Sequence, residues 1–291
     1  MPIVFSEVIN LDGTLLDKVP ADDRGLMYGD GLFETIRIFE GRAPLFKTHM
    51  DRLSRDAKVL GIQVEREQLE SLIIESHRRM NAQLDEATLV NGLWKIILTR
   101  GSGGFGYNPI DCDSPRLLIS FKPMRLTEWY QQAVNVVLAP ISLSHNPELA
   151  GMKHLNKLDY VIAAQRTERG PNDLVLLTDQ NNRVVEALHH NVFILKNDYC
   201  LTPGILHCGV RGVMRQVVLD SLCPSLKMKT SRTSLSLDEL QQAEAIFMSN
   251  SVRGLVPVKQ MGDVEFDLEH PRLNHLRMAL KEYIADAPHL V

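Results

Sequence analysis

Gly151-Met152-Lys153-His154-Leu155-Asn156-Lys157-Leu158-Asp159 is the stretch on which the fold turns. Leu155, Leu158 and Ile162 recur at helical spacing, so a loop is predicted to enter a helix over 155–169, closed by Gly170. Lys153 stands at that junction. Gly151 permits an unusual backbone just before it, and Asn156 falls one helical turn on, where its amide can face the same site. Further along, Arg183-Val184-Val185-Glu186-Ala187 predicts a strand with a carboxylate inside an apolar run. On a strand of period two, Glu186 points with Val184 and Leu188. A buried carboxylate needs a cation or hydrogen-bond donors against it. The alternative is a glutamate on the solvent face of an edge strand.

A lysine amine that is partly desolvated is a nucleophile toward carbonyl groups near neutral pH. A carboxylate set against a pyridine nitrogen keeps that nitrogen protonated, so the ring can accept electrons. Together these are what pyridoxal 5'-phosphate (PLP) asks of a protein. The alternative for Lys153 is a solvated surface lysine.

Two further features suit an anion. Gly209-Val-Arg-Gly-Val-Met-Arg215 is a glycine turn entering a helix, whose first N–H groups lack intrahelical acceptors and can hold a phosphate. It contains neither G-x-x-x-x-G-K-[ST] nor G-x-G-x-x-G, so it predicts a generic anion site or a plain helix start. Arg52, in His49-Met50-Asp51-Arg52-Leu53, lies beside the apolar face of its helix and can reach inward to a phosphate. The alternative is an exposed arginine paired with Asp56 one turn on.

The rest of the chain sets the frame. Its 291 residues suit two domains or one large one, and 44% hydrophobic with 23% charged residues marks an ordinary globular protein. The net charge of −4 offers no basic excess for nucleic acid. The N-terminus lacks a signal-peptide pattern, apolar runs such as Val136–Pro140 and Leu174–Leu177 are too short to span a bilayer, and Cys112, Cys200, Cys208 and Cys223 form no C-x-x-C. A cytoplasmic protein with reduced thiols is expected. The histidines show no metal-ligand spacing, and no metal site is expected.

Strands are predicted over Ile3–Ile9, Thr14–Lys18, Gly31–Phe39, Gly92–Arg100 and Arg116–Pro123, with a short one leading to Phe46. Helices are predicted over Lys47–Leu60 and Glu65–Ala82, and Gly101–Tyr107 reads as a glycine-rich loop. Past a polar stretch come a strand over Ala133–Ala139, strands over Leu174–Thr178 and Val184–Leu195, and a helix over Gly212–Leu222. A capping box at Ser236-Leu-Asp-Glu239 opens another helix. A strand over Ala245–Met248 and a helix over Pro271–Ala285 complete the reading. Strict βαβ alternation is absent, which predicts an α+β (mixed α/β) fold. The expected organisation is a small N-terminal α/β domain over 1–121, a linker over 122–132 and a larger C-terminal domain over 133–291 carrying Lys153.

Taken together, these residues resemble the fold-type IV PLP enzymes, which include branched-chain aminotransferases, D-amino-acid aminotransferases and 4-amino-4-deoxychorismate lyases. Asp23-Arg24-Gly25-Leu-Met-Tyr-Gly29-Asp30-Gly31-Leu-Phe33-Glu-Thr35 is similar to the family's N-terminal signature, and His49-x-x-Arg52-Leu53 to its phosphate-arginine motif. Lys153, Glu186, Asn191-Val192-Phe193 and Gly212-Val-Met-Arg215 follow in the family's order. The glycine loop through Tyr107 and Leu149–Asn156 resemble the lyase branch. Lys157-Leu158 stand where branched-chain aminotransferases place an asparagine–tyrosine pair. Phe105 and Tyr107 stand where the D-amino-acid branch carries an arginine and a histidine. Phe105 also replaces an arginine frequent in lyases, and His189-His190 replaces small residues.

The resemblance implies a two-domain fold-type IV structure and a homodimer. It implies Lys153 as the Schiff-base lysine and proton-transfer base, and Glu186 as the partner of the pyridine nitrogen. Arg52, the N–H groups of Val213 and Met214, and Ser251 would hold the phosphate. Thr35 would assist proton transfer, and Tyr107 and Asn156 would lie toward the substrate. The implied reaction releases pyruvate from 4-amino-4-deoxychorismate and leaves 4-aminobenzoate. The alternatives are a PLP aminotransferase of D- or branched-chain amino acids, and a non-enzymatic scaffold that keeps the fold.

Overall fold

The computed structural model describes residues 5–83, 91–124, 129 and 132–286. They divide into two units. One takes the described residues up to Met124 and, out of sequence, Lys153–Asn156; the other takes Trp129, residues 132–152 and Lys157–Asp286. Most of the expected linker, at 125–128 and 130–131, lies outside the described residues.

The first unit opens with β1 (Phe5–Asn10), β2 (Leu15–Leu16), α1 (Arg24–Tyr28) and β3 (Gly31–Phe39). Helices α2 (Phe46–Leu60) and α3 (Arg66–Gln83) follow, then β4 (Asn91–Thr99), the hairpin β5 (Gly103–Phe105) and β6 (Asn108–Cys112), and β7 (Arg116–Pro123). The main sheet is antiparallel in the order β2-β1-β7-β4-β3. Leu32, Ile36 and Ile38 alternate along β3 and are buried, as are Met50, Leu53 and Ala57 of α2 and Leu69, Ile73 and Met80 of α3. Gly61 ends α2 in the left-handed region at φ 68°, as its sequence position predicts. Before α2 the chain makes the turn that Glu40-Gly41-Arg42 predicts, bridging Phe39 and Arg42, but the short strand expected to lead to Phe46 does not form, and Phe46 opens α2. The glycine-rich segment is the start of a hairpin: its positive-φ glycines hide a strand pair that has no apolar alternation.

β3 ends its sheet, and a bare edge strand leaves backbone donors and acceptors unpaired. Residues 153–155 cover part of it. Phe33 N donates to Lys153 O at 2.9 Å, Leu155 N donates to Gly31 O at 3.0 Å, and His154 bridges Leu32. This backbone pairing is why Lys153–Asn156 belongs with the first unit rather than with the C-terminal residues around it.

The second unit contains β8 (Val134–Leu143), α4 (Leu158–Arg166), β9 (Leu174–Asp179), β10 (Val184–Ala187), β11 (Asn191–Lys196) and β12 (Tyr199–Pro203). Then comes α5 (Val213–Val217), continued by a π turn (Val218–Leu222) and a last helical turn (Cys223–Ser225). β13 (Lys229–Thr233), α6 (Leu237–Gln241), β14 (Ala245–Asn250), β15 (Gly254–Met261), β16 (Val264–Glu265) and α7 (Pro271–Ala285) complete it. Its sheet runs β10-β9-β8-β15-β14-β11-β12-β13, with β16 on β15. β10 and β11 stand far apart in that order yet are joined through Leu188, His189 and His190 alone, so the sheet must curl. The architecture is mixed α and β, as the sequence predicts. Among the described residues no helix is long and apolar enough to cross a membrane.

Further local readings change, and the strand expected over Val184–Leu195 divides into β10 and β11. The helix after Lys153 starts at Leu158 and ends at Arg166, because 153–155 are paired to β3 and cannot also be helical. Leu158 is consequently exposed. In β10 the register slips between Val184 and Glu186, and this bulge breaks the alternation assumed for the strand. Val184 and Ala187 pack in one core cluster, Val185 and Leu188 in another.

Candidate active site

In the first unit, Lys153 is half-buried and its Nζ lies 4.2 Å from the centroid of the Phe33 ring. Asp56 Oδ2 accepts from the Lys153 backbone N–H at 3.4 Å. A second amine approaches the same ring: Lys95 Nζ lies 3.5 Å from its centroid. Lys95 projects from β4 directly opposite Thr35 of β3. Burial pushes the Lys95 ammonium down to about 8, against a smaller upward pull from Glu34. Among the described residues Lys95 forms no ion pair. The geometry thus gathers Lys153, Phe33, Thr35 and Lys95, and the sequence reading had not singled out Lys95.

Arg52 is buried, and its partner is Glu34 rather than Asp56. Nε donates to Oε1 at 2.7 Å and Nη2 donates to Oε2. At least two of the five guanidinium N–H donors are therefore committed to holding the fork in place. His49 Nδ1 lies 2.7 Å from Glu34 Oε2. Burial lowers the His49 proton affinity, with Glu34 opposing, so the ring is neutral and donates through Nδ1. Its buried Nε2 has no hydrogen-bond partner among the described residues. Burial alone would raise the Glu34 carboxyl, but Arg52 and His49 outweigh it and bring it to about 2. A carboxylate on the apolar side of β3, ahead of a helix carrying His and Arg one turn apart, was the available signal for this cluster.

Asn156 and Tyr107 sit differently from expectation. Asn156 is outside any helix, is exposed, and donates to Gly29 O at 3.0 Å. Gly29, at φ 67°, leaves no room for a side chain there: a Cβ would fall 2.8 Å from Asn156 Oδ1. Tyr107 is 87% exposed at the tip of the β5–β6 hairpin, beside Phe105 at 90%. Arg24 holds this tip by donating to the carbonyls of Gly103, Gly106 and Tyr107.

In the second unit, Glu186 is 4% exposed, which excludes the solvent-facing alternative. Tyr160 Oη donates to its Oε1 at 2.5 Å, and Asn191 Nδ2 and Val210 N donate to Oε2, each at 3.1 Å. Asn191 also accepts from Gly212 N at 3.1 Å through Oδ1. One polar chain therefore runs from Glu186 to the turn that launches α5, where Val213 and Met214 supply the first N–H groups. Arg215 points away from that end and ties the helix to Thr202 and Pro203 O.

Ser251 stands in the turn between β14 and β15, which Asn250 organises. Asn250 Oδ1 accepts from Val252 N and Arg253 N, while its Nδ2 donates to His189 O at 3.0 Å and lies 2.9 Å from His190 Nε2. Of the histidine pair, His189 is exposed and His190 is buried. Burial, with Arg253 and His189 adding to it, brings His190 down to about 3. The ring is neutral and accepts at Nε2.

A family model described as amino-transferase class IV matches residues 31–261. The chain belongs to the amino-transferase class IV family. It is 32% identical over 265 residues to an aminodeoxychorismate lyase of Vibrio harveyi, covering 90% of this chain and 94% of that protein. It is 30% identical over 288 residues to a putative branched-chain-amino-acid aminotransferase of Methanocaldococcus jannaschii, covering 96% and 95%. The crystal structure of 4-amino-4-deoxychorismate lyase from Pseudomonas aeruginosa superposes with a TM-score of 0.83 at 29% identity, covering 96% of this chain and 98% of that one. As a class IV family member the protein is a PLP-dependent enzyme. Each unit carries groups of the kind that cofactor takes: in one a lysine amine, in the other a buried carboxylate that accepts from Tyr160, Asn191 and Val210, and a helix start tied to that carboxylate through Asn191.

Proposed function

We propose that this class IV enzyme is a 4-amino-4-deoxychorismate lyase, cleaving a carbon–oxygen bond to give 4-aminobenzoate, a folate precursor, and pyruvate. The observation that carries the reading is the pair of amines on Phe33. Lys153 suits carbonyl chemistry, and Lys95, which forms no ion pair among the described residues, offers a cation to a substrate that brings carboxylates. The similarity to the Vibrio harveyi and Pseudomonas aeruginosa lyases supports it, as do Leu158 in place of a tyrosine and the glycine loop.

PLP, when bound, supplies an electron-withdrawing ring that stabilises negative charge at the substrate's amine-bearing carbon. Lys153 Nζ would hold the aldehyde and afterwards take the proton from that carbon. Glu186 would serve the pyridine nitrogen. Arg52, held by Glu34, serves the phosphate together with the Val213 and Met214 N–H groups and Ser251. Thr35, opposite Lys95, lies on the substrate side, and Lys95 pairs with a substrate carboxylate. The elements of the substrate divide between the two products with no other reactant, and aromatisation of the ring drives the step. The reading includes a homodimer in the cytoplasm; the exposed Phe105, Tyr107 and Ile110 on one hairpin support a covered surface there.

The test is incubation of the purified enzyme with 4-amino-4-deoxychorismate, following pyruvate and 4-aminobenzoate in equal amounts without added 2-oxo acid. Absence of pyruvate at saturating substrate, with rapid 2-oxo-acid-dependent transfer from D- or branched-chain amino acids, would replace the lyase with an aminotransferase.

A further inference from the structure

We propose that Tyr160 is a positioning residue for Glu186, its hydroxyl holding the carboxylate ionised so that a pyridine nitrogen set against Glu186 keeps its proton. This rests on the reading of Glu186 as the pyridine's partner.

Tyr160, Asn191 and Val210 all donate to this buried carboxylate, and they are unequal. Asn191 Nδ2 and Val210 N both reach Oε2 at 3.1 Å and are tied into the turn before α5. Tyr160 Oη reaches Oε1 at 2.5 Å and comes from α4, an element with no share in that turn. It is the closest of the three contacts and the one with an O–H donor, the kind that strengthens most against an ionised acceptor. A donor of this kind favours the charged form of the carboxylate.

The surroundings keep Tyr160 a donor. Burial raises its proton affinity, and the charge of Glu186 and the hydrogen bond to it raise it further. Cys208 is itself pushed up to about 12, first by burial and then by Asp179, Glu186 and Asp159, so it stays a neutral thiol. The cations facing the pair are Lys157, whose Nζ lies 4.6 Å from the Tyr160 ring centroid, and more distantly Arg215. Deprotonation of Tyr160 would place two anions side by side, since its hydroxyl lies against the Glu186 carboxylate. With PLP bound, one proton would lie between the pyridine nitrogen and a Glu186 oxygen. Loss of the Tyr160 donor would move it toward oxygen, and the pyridine would be neutral and a weaker electron sink.

The test uses enzyme loaded with PLP labelled with nitrogen-15 in the ring, following the ring-nitrogen resonance from pH 6 to 10. Tyr160→Phe is expected to retain stoichiometric PLP and to lower the pH at which the nitrogen loses its proton by about one unit, a tenfold change in proton affinity. Placing 3-fluorotyrosine at 160, a stronger donor of nearly the same shape, is expected to shift that pH the opposite way. A purely structural role for Tyr160 predicts no such opposed pair. Glu186→Gln serves as the reference. If it moves the resonance while both changes at 160 leave it in place, Tyr160 has no such role and the Glu186 reading survives. If Glu186→Gln also leaves it in place, both fall.

Discussion

Glu34 grips Arg52 with both carboxylate oxygens in the buried layer between β3 and α2, and His49 donates to the same carboxylate. The pair is a support, not a spare charge: it fixes the guanidinium that the proposed function assigns to a phosphate. Removing one partner of such a pair strands the other, at a cost of about 3–5 kcal/mol. Glu34→Gln is therefore expected to lose stability on that scale at pH 7 in urea titrations and to release PLP more readily on dialysis. The acid behaviour gives a sign check. Folding brings the Glu34 carboxyl from 4.5 to about 2, so its contribution is full above 4.5 and is lost as pH falls toward 2. The variant should lack that part of the acid loss. An unchanged acid profile would show that Glu34 is not its source.

Lys95 predicts a pH effect on substrate rather than on the fold. Its ammonium is present below about 8 and disappears as pH rises through that value. If it pairs with a substrate carboxylate, KM should climb above pH 8 while kcat holds. Lys95→Met keeps the stem and removes the charge. It should raise KM by about 10–100-fold, the range for losing a hydrogen bond to a charged group. It should also flatten the KM rise at high pH. A large fall in kcat with KM intact would instead make Lys95 part of the proton transfer.

Gly212 tests the link between Glu186 and the start of α5. Its φ of −64° suits any residue, so a substitution there carries no backbone strain. The obstacle is space: a Cβ would fall 2.1 Å from Asn191 Oδ1, the atom that accepts from Gly212 N. Gly212→Ala must push Asn191 aside and with it one of the donors to Glu186. The expected result is a loss of about 1–3 kcal/mol, typical of overpacking, and weaker PLP binding measured by equilibrium titration. Retained affinity would mean that the turn can shift without disturbing Glu186.

The residues that were legible in the sequence share a cause. β3 and α7 have unbroken periods, and the structure gives them the bounds Gly31–Phe39 and Pro271–Ala285 that the pattern predicts. Where one period competes with another, the pattern misleads. Leu155 fits a helix with Leu158 and Ile162, yet pairing with the β3 edge claims the backbone of 153–155 first. Glu186 was legible as a carboxylate in an apolar strand, but a bulge does not announce itself in residue types. Side-chain pairs were the least legible. Tyr160 and Glu186 lie 26 positions apart, and Glu34 and Arg52 lie 18, with nothing local to mark either partnership.

His190 supplies a prediction that reaches from a departure in the sequence to the behaviour of the fold. Its ring is buried neutral, accepting at Nε2 from the amide that also shapes the Ser251 turn. Folding lowers it from 6.5 to about 3, so an unfolded chain binds this proton first as the solution is acidified. The stability owed to the neutral ring is whole above pH 6.5 and declines through that window, by at most about 1.4 kcal/mol per pH unit. His49 and His77 are shifted in the same direction by burial and add to the decline. His190→Asn gives up the contact with Asn250 and should be less stable than the parent at pH 7. Because it also lacks the titrating ring, its disadvantage should shrink as pH falls from 6.5 to 4, in urea titrations run side by side. A difference that stays constant across that range removes His190 as a source of the acid loss.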